Sequence, residues 1–285
     1  MGIVNVTPDS FSDGGSFLAP EAAIEQGRKL ALEGAEILDV GGESTRPGAE
    51  PVGAEEELRR VGPVIERLAA SGSGTAAPPQ ISIDTSKAAV AAAALAAGAS
   101  FVNDVSALRA DPGMAGVVAD AGADCCLMHM LGEPRTMQRD PRYADVVGEV
   151  KAFLEERMAF AVREGVQERR ILLDPGIGFG KTARHNLELL RRLDEIAALG
   201  RPVVIGTSRK SFLGRIAGEP AAQAPPAPPD RLAGTIATNV LALANGASVF
   251  RVHEVAPVRE ALTVAAATLA AGWTASGATT TQTTS

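Results

Sequence analysis

The sequence predicts an α/β fold in which eight strands alternate with helices, and three observations support this prediction. Short apolar runs recur at residues 3–5, 37–39, 81–84, 101–103, 126–129, 171–174, 203–206 and 249–251. Segments with helical periodicity separate these runs, and a glycine precedes most of them. Short apolar runs of this kind are typical of parallel strands that are buried on both faces. With 285 residues, the pattern predicts a single (β/α)8 barrel, or TIM barrel, of about 250 residues plus extensions.

The helices are predicted from apolar residues three and four positions apart. Leu58, Val61, Ile65 and Leu68 have this spacing, and the same pattern returns in residues 147–161 and 232–243. A glycine lies between each of several helical stretches and the next strand, at Gly34, Gly98, Gly122, Gly165, Gly200 and Gly246. We expect these glycines to end the helices in the left-handed conformation.

Three segments interrupt the repeat without marking a second domain. Residues 71–79 form a Gly/Ser/Pro-rich loop, and residues 221–229 (AAQAPPAPP) form an insertion that we expect to be exposed and extended. Residues 276–285 contain no apolar partner, so we expect a disordered polar tail. The predicted organisation is one domain over residues 1–275, followed by that tail.

Composition and charge restrict the partners. The net charge of −7 argues against a nucleic-acid ligand, and no apolar run approaches the roughly 18 residues of a membrane span. Cys125 and Cys126 are adjacent in a predicted strand and therefore point to opposite faces, which argues against a disulfide between them. With no signal peptide expected before the first strand, we predict a reduced, cytoplasmic setting.

Polar residues end most of the apolar runs, and this pattern defines a candidate site. In a (β/α)8 barrel the carboxyl ends of all strands meet at one rim. Asp84, Asn103 and Asp174 end the third, fourth and sixth runs, and together they are suited to hydrogen-bond the edge of a flat nitrogen heterocycle. The alternative is that each caps the following helix. His129, His185 and His253 lie on separate elements without metal-ligand spacing, so a histidine metal site is not expected.

Cations follow the last two strands. Lys210 follows the seventh strand, while Arg251 and His253 in the eighth run alternate to the same side. With Arg46, they predict an anion site, because phosphate sites near the seventh and eighth strands recur in these barrels. Two alternatives remain open: Lys210 as a Schiff-base nucleophile, and Arg46 as an ordinary surface charge.

Three loops at strand ends add to this site. The long loop from Asn5 to Gly15 is either a mobile lid or a solvated connector, and its length favours a functional role. The 41–48 loop offers glycines and hydrogen-bond donors suited to phosphate. The 174–182 segment is similar to a phosphate loop, but Pro175 stands where that motif requires glycine, and Lys181 replaces the last glycine of the dinucleotide fingerprint. We predict that it forms a pocket wall, with Phe179 available to stack on a ring.

Seven motifs together resemble the dihydropteroate synthase family. TPDSFSDGG, GGESTRPGA, IDTSK, NDVSA, DPGIGFGK, GTSRKSFLG and RVHE occur in the family's order between residue 2 and about residue 269. The resemblance implies the condensation of 6-hydroxymethyl-7,8-dihydropterin diphosphate with 4-aminobenzoate in folate biosynthesis, with Mg²⁺ as cofactor. It also implies a homodimer through late helices and competitive inhibition by sulfonamides.

The resemblance assigns roles to individual residues. It implies pterin contacts at Asp84, Asn103, Asp174 and Lys210, in a pocket lined by Met128 and Phe179. It implies diphosphate contacts at Thr45, Arg46, Arg251 and His253, and an aminobenzoate site at Pro8, Phe11 and Ser211. Asn5 matches the Mg²⁺ contact, with Asp13 assisting. The residues implied to be catalytic are Asp84, Lys210, Arg251 and His253.

Two other functions remain as alternatives. A methyltetrahydrofolate-binding methyltransferase domain uses a similar pterin pocket but does not need the diphosphate cations. A catalytically silent paralogue would bind pterin or another phosphate ligand without turnover.

Related sequences usually carry a short segment before the first strand, so we expect this chain to be less stable than a longer form.

Overall fold

In the computed structural model, each described strand is followed by one or two helices. The structure describes residues 1–6, 18–44, 50–70, 78–133, 135–218 and 231–270. The strands are β1 (Gly2–Asn5), β2 (Ile37–Gly41), β3 (Gln80–Asp84), β4 (Phe101–Asp104), β5 (Asp124–Met128), β6 (Ile171–Asp174), β7 (Val203–Ile205) and β8 (Ala247–Phe250). The helices are α1 (Leu18–Leu32), α2 (Ala54–Ala70), α3 (Ala88–Ala96), α4 (Met114–Ala121), α5 (Val146–Arg163), α6 (Ala183–Arg191), α7 (Asp194–Ala197), α8 (Ser211–Ile216), α9 (Leu232–Ala244) and α10 (Val255–Leu269). Every predicted apolar run contributes to a strand.

The strands form one parallel sheet in sequential order from β1 to β8. The two outer strands approach each other, because the backbone N–H of Ile3 donates to the carbonyl of Val252 at 3.0 Å and the N–H of Val252 donates to the carbonyl of Met1 at 2.9 Å. The sheet is therefore curled, with helices along its outside. The predicted α/β class is confirmed.

Alternation along the strands separates two apolar regions. The larger core lies between the sheet and the helices and includes Val40, Ile83, Cys125 and Leu127. A smaller cluster of Phe101, Cys126 and Val204 lies on the opposite face, inside the curl. The two cysteines are therefore on opposite faces and both are free, as expected, and burial raises the pKa of the Cys125 thiol to about 12.

The predicted helix ends are confirmed at the backbone level. All six glycines expected to end helices have positive φ, namely Gly34, Gly98, Gly122, Gly165, Gly200 and Gly246. Gly122 shows the cap fully: it has left-handed dihedrals, and its N–H bonds back to carbonyls of α4. The 221–229 insertion and the 276–285 tail lie outside the described residues. None of the described helices is long and apolar enough to cross a membrane.

Candidate active site

Polar side chains from several strands lie at one rim, which we define as the carboxyl ends of the eight strands. Asn5, Asp84 and Asp174 are the last residues of β1, β3 and β6, and Asn103 is the penultimate residue of β4. The helix-capping alternative is wrong for Asp84, Asn103 and Asp174. The helices that follow these strands, α3, α4 and α6, begin after Lys87, Gly113 and Thr182.

Arg251 joins a carboxylate at the rim to one that lies below it. Its Nε donates to Asp39 Oδ2 at 2.6 Å, and its Nη2 donates to Asp84 Oδ2 at 2.7 Å. Burial opposes the charge of Arg251, but the two carboxylates outweigh it and raise the guanidinium pKa. Burial also raises the pKa of Asp84 to about 7, against the lowering effect of Arg251. The charge of Asp84 is therefore poised near neutral pH.

Asp39 is the residue of this network that the sequence analysis did not select. Its side chain is completely buried, and Oδ1 accepts a hydrogen bond from Ser82 Oγ at 2.6 Å. Oδ2 accepts from Asn103 Nδ2 at 3.0 Å in addition to Arg251. One signal was available, because Asp39 ends the second apolar run just as Asp84 ends the third.

Asp174, Lys210 and Phe179 form the opposite side of the rim. Asp174 is buried, and its Oδ1 accepts the backbone N–H of Gly176 at 2.7 Å. Lys210 donates to the carbonyl of Ile177, and its Nζ lies 4.8 Å from the centre of the Phe179 ring. Burial lowers the pKa of Lys210 to about 8, although the nearby Asp174 raises it. Phe179 packs with an apolar cluster made of Met128, Met130, Met137 and Val105.

Lys181 fixes the loop that carries Phe179. Lys181 is 1% exposed, and its Nζ lies 2.9 Å from His129 Nδ1 and 3.0 Å from the carbonyl of Phe179. Burial, followed by the charge of Lys181, lowers the pKa of His129 to about 3, so the ring is neutral. The predicted pocket wall is therefore bound to the end of β5. His185, in the first turn of α6, forms a capping box with Thr182.

The cations predicted after β7 and β8 lie near one another. A Cβ placed on Gly206 would lie 3.9 Å from both Lys210 Nζ and Arg251 Cβ, so this glycine separates the two side chains. His253 Nδ1 lies 2.9 Å from Ser208 Oγ, which also accepts the backbone N–H of His253. Ser211 is exposed at the start of α8.

The remaining predicted site residues lie outside the described part of the chain. These are Pro8, Phe11 and Asp13 in the first loop, and Thr45 and Arg46 in the second. The two ends of the second loop are described, and Glu43 links them. Its Oε1 accepts the N–H of Val52 at 2.9 Å, and its Oε2 accepts from Lys87 Nζ at 2.7 Å.

Lys87 also pairs with Glu57, a fully buried residue of α2 whose Oε1 has no hydrogen-bond partner among the described residues. The base of the second loop is therefore connected to both α2 and the start of α3. The described residues contain no group of three or more His, Cys, Asp or Glu side chains arranged to hold a metal ion.

Comparisons with known proteins match almost the whole chain. Residues 1–253 match the family described as pterin binding enzyme. The dihydropteroate synthase of Synechocystis sp. is 45% identical over 265 residues, covering 93% of this chain and 88% of that protein. A Xanthomonas albilineans dihydropteroate synthase with 4-aminobenzoic acid superposes with a TM-score of 0.85 at 50% identity, covering 95% of this chain and 92% of that one. The structure from the same organism in complex with 7,8-dihydropteroate gives 0.82 at 47% identity, covering 95% and 93%.

Proposed function

The chain belongs to the pterin-binding enzymes, and on this premise we propose that it condenses 6-hydroxymethyl-7,8-dihydropterin diphosphate with 4-aminobenzoate. The products are 7,8-dihydropteroate and diphosphate, which makes the chain a transferase of folate biosynthesis. The relatives that carry this activity in their names match more than nine-tenths of the chain. The observation that carries the proposal is structural: Asp84, Asn103 and Asp174 lie at the same rim as Lys210 and Arg251.

The first three residues suit the pterin ring. Asp84 and Asp174 accept hydrogen bonds from ring N–H and exocyclic amino groups, and the Asn103 carboxamide has both an acceptor and donors. Phe179 and Met128 supply apolar surface for the flat bicycle. The pterin therefore lies inside the rim with its polar edge towards the carboxylates.

The cations suit the diphosphate. In the proposed reaction the bond between the pterin methylene carbon and the diphosphate oxygen breaks first, and both electrons leave with diphosphate. Arg251, His253 and Lys210 stabilise the charge that develops on this leaving group. Asp84 favours the opposite charge that develops on the pterin.

The second half-reaction needs little from the protein. The amino nitrogen of 4-aminobenzoate is nucleophilic while neutral, so it attacks the methylene cation, forms the C–N bond and then releases a proton. No strong general base is required. The order of binding follows from this scheme, with the pterin diphosphate before 4-aminobenzoate. Pro8, Phe11 and Ser211 remain the proposed aminobenzoate residues.

Asn5 fits a Mg²⁺ ion bound together with substrate. Magnesium prefers oxygen ligands and often takes only one or two from the protein, with the rest from phosphates and water. Asn5 offers a carboxamide oxygen at the end of β1, so the donor set is of the right type without a carboxylate cluster. The metal would neutralise charge on the leaving diphosphate, with Asp13 assisting from the first loop.

The proposal also covers the closure of the sheet, the assembly of the chain and its location. The hydrogen bonds of Val252 with Ile3 and Met1 support a closed (β/α)8 barrel. The proposed assembly is a homodimer through the late helices, and the proposed location is the cytoplasm. Sulfonamides, which resemble 4-aminobenzoate in shape and charge, are the expected competitive inhibitors, and a similar structure from Yersinia pestis is a complex with a sulfonamide drug.

A methyltetrahydrofolate-binding methyltransferase is the second candidate, but it leaves the juxtaposition of Lys210 and Arg251 unused. The decisive experiment incubates the purified chain with Mg²⁺ and pterin diphosphate, with and without 4-aminobenzoate, and measures diphosphate release and dihydropteroate formation. We expect dihydropteroate only when both substrates are present, together with an equal amount of diphosphate. Pterin binding without either product would support the silent paralogue. Methyl transfer from methyltetrahydrofolate would support the second candidate.

A further inference from the structure

Asp39 accepts hydrogen bonds from three different strands or strand ends, although it lies below the rim and is completely buried. Ser82, directly opposite on β3, donates to Oδ1, while Asn103 and Arg251 both donate to Oδ2. A buried carboxylate is costly unless its oxygens are fully paired. Asp39 meets this condition through three partners, two of which belong to the proposed substrate contacts.

The contact with Asp39 determines how Arg251 is oriented. A guanidinium carries five N–H groups in a fixed plane. Among the described residues, Arg251 uses Nε on Asp39 and Nη2 on Asp84, and these two contacts fix the plane. The other N–H groups, including both on Nη1, are then available to an anionic oxygen. A single contact to Asp84 would leave the plane free to rotate.

The same contact determines how Asn103 presents its amide. One hydrogen of Nδ2 is directed at Asp39, so the carboxamide oxygen points away from the buried carboxylate. That oxygen is an acceptor for a ring N–H. Asp39 therefore acts on a proposed diphosphate contact and a proposed pterin contact at the same time.

We propose that Asp39 is a positioning residue for the proposed reaction, which orients Arg251 towards the diphosphate and Asn103 towards the pterin and divides the charge of Arg251 between itself and Asp84. This inference rests on the proposed function. It adds a residue that never touches substrate but fixes two residues that do.

Division of the Arg251 charge has a measurable consequence at Asp84. The charged groups that face Asp84 are Arg251 beyond β8, Asp39 on β2, Glu57 on α2 and Asp104 on β4. Arg251 in turn faces Asp174 and Lys210. Loss of the Asp39 charge removes one repulsion from Asp84 and leaves Asp84 as the only carboxylate paired with Arg251. Both changes lower the pKa of Asp84.

The test is Asp39→Asn, which preserves the shape of the side chain and removes its charge. We expect kcat/KM for pterin diphosphate to fall by roughly 10²-fold, because a misplaced cation loses most of its effect. The affinity for pterin diphosphate should fall more than the affinity for the bare pterin, measured by calorimetry. The acidic limb of the kcat/KM profile should move to lower pH by roughly one unit.

Ser82→Ala is the matched control. It removes one hydrogen bond to Asp39 but leaves the charge and both substrate-side contacts, so we expect a lower Tm and an unchanged acidic limb. If Asp39→Asn shifts only Tm, as Ser82→Ala does, Asp39 is merely structural and the inference is wrong.

A second variant keeps the test valid if Asp39→Asn does not fold. Arg251→Lys retains the positive charge but cannot contact both Asp39 and Asp84. We therefore expect this variant to bind pterin diphosphate more weakly than the wild type, although Asp39 is unchanged. Retention of wild-type affinity in Arg251→Lys would contradict the positioning role. The wild-type assay separates the two proposals: an inactive wild-type chain contradicts the proposed function, whereas an active one with a normal Asp39→Asn variant contradicts only this inference.

Discussion

Asp84 and Lys210 carry opposite charges at the rim, and burial shifts the pKa of each towards neutrality. The pKa of Asp84 is raised to about 7, so its negative charge is lost as the pH falls below that value. The pKa of Lys210 is lowered to about 8, so its positive charge is lost as the pH rises above that value. Both groups are charged together only in the narrow range between these two values.

We therefore expect a bell-shaped profile of kcat/KM against pH, since this parameter reports the ionisations of the free enzyme. Lys210→Arg should remove the alkaline limb, because an arginine side chain remains charged throughout this range. Steady-state rates across the pH range would test this. Lys29→Arg, on the exposed surface of α1, is the control and should leave both limbs in place. An alkaline limb that persists in Lys210→Arg would assign it to another group.

At the same scale, the sequence identified some site residues and missed others for a physical reason. Asp84, Asn103 and Asp174 were predicted because polar residues after apolar runs reach the rim of a parallel sheet. Asp39 has the same local pattern, but it lies two residues before the end of β2 and faces inward. Depth inside the sheet depends on the registers of neighbouring strands, which a single sequence does not contain.

The loop after β6 is held against the end of β5 by a close backbone approach. Gly176 has a φ of +68°, and a Cβ at this position would lie 1.8 Å from the carbonyl oxygen of His129. The sequence predicted that this segment is a wall rather than a phosphate loop. It did not predict the partner of that wall, because the contact joins two segments nearly 50 residues apart.

Gly176→Ala should destabilise the fold by roughly 3 kcal/mol or more, because the left-handed backbone and the collision with His129 both oppose the methyl group. Gly200→Ala is the matched control: its φ is +76°, but nothing lies near the added Cβ. We expect a cost of about 1 kcal/mol there. Equilibrium unfolding in urea measures both values. Equal losses in the two variants would mean that the loop moves away without penalty.

Lys87 connects the base of the second loop to helix α2, and its contacts predict two separable effects. Lys87→Met leaves Glu57 buried without its cation, so we expect a loss of roughly 3 kcal/mol in the free energy of unfolding. The double variant Lys87→Met/Glu57→Gln removes the stranded charge and should recover much of this loss. Arg59→Met is the control, because Arg59 is an exposed partner of Glu56 and its loss should leave the free energy of unfolding nearly unchanged.

The KM for pterin diphosphate distinguishes the effect of Lys87 on stability from its effect on the position of the second loop. In both Lys87 variants Glu43 has lost its contact with Lys87, so we expect both to have a higher KM than the wild type. The KM of the double variant should remain high even though its stability is largely recovered. A KM that returns to the wild-type value together with stability would show that Lys87 acts on the fold alone.

For the whole molecule, the repeat of apolar runs was sufficient to predict eight parallel strands in sequence order, because each unit packs its own helix against its own strand. The approach of the two outer strands depends instead on contacts between residues 1–3 and residues 250–252, at opposite ends of the described fold. The assembly is even harder to predict from the sequence, because it depends on which surface remains apolar after the chain has folded.

Such a surface occurs on the late helices. Large apolar side chains are more than half exposed on α8, α9 and α10, at Ile216, Leu241, Val264 and Leu269. The helices α9 and α10, which carry three of these four side chains, pack against each other. Exposed apolar surface of this kind favours association, because burial of each large side chain gains roughly 1.5–3 kcal/mol.

We therefore expect light scattering after size-exclusion chromatography to give twice the chain mass of 29.2 kDa. Leu241→Glu combined with Val264→Glu should shift the protein to the monomer, because two charges would be buried in the contact. Val162→Glu is the control, since Val162 is 41% exposed on α5, outside the late helices, and should leave the dimer unchanged. A monomeric wild-type chain would contradict the dimer, whereas a dimer that resists the double variant but not the control would place the contact elsewhere.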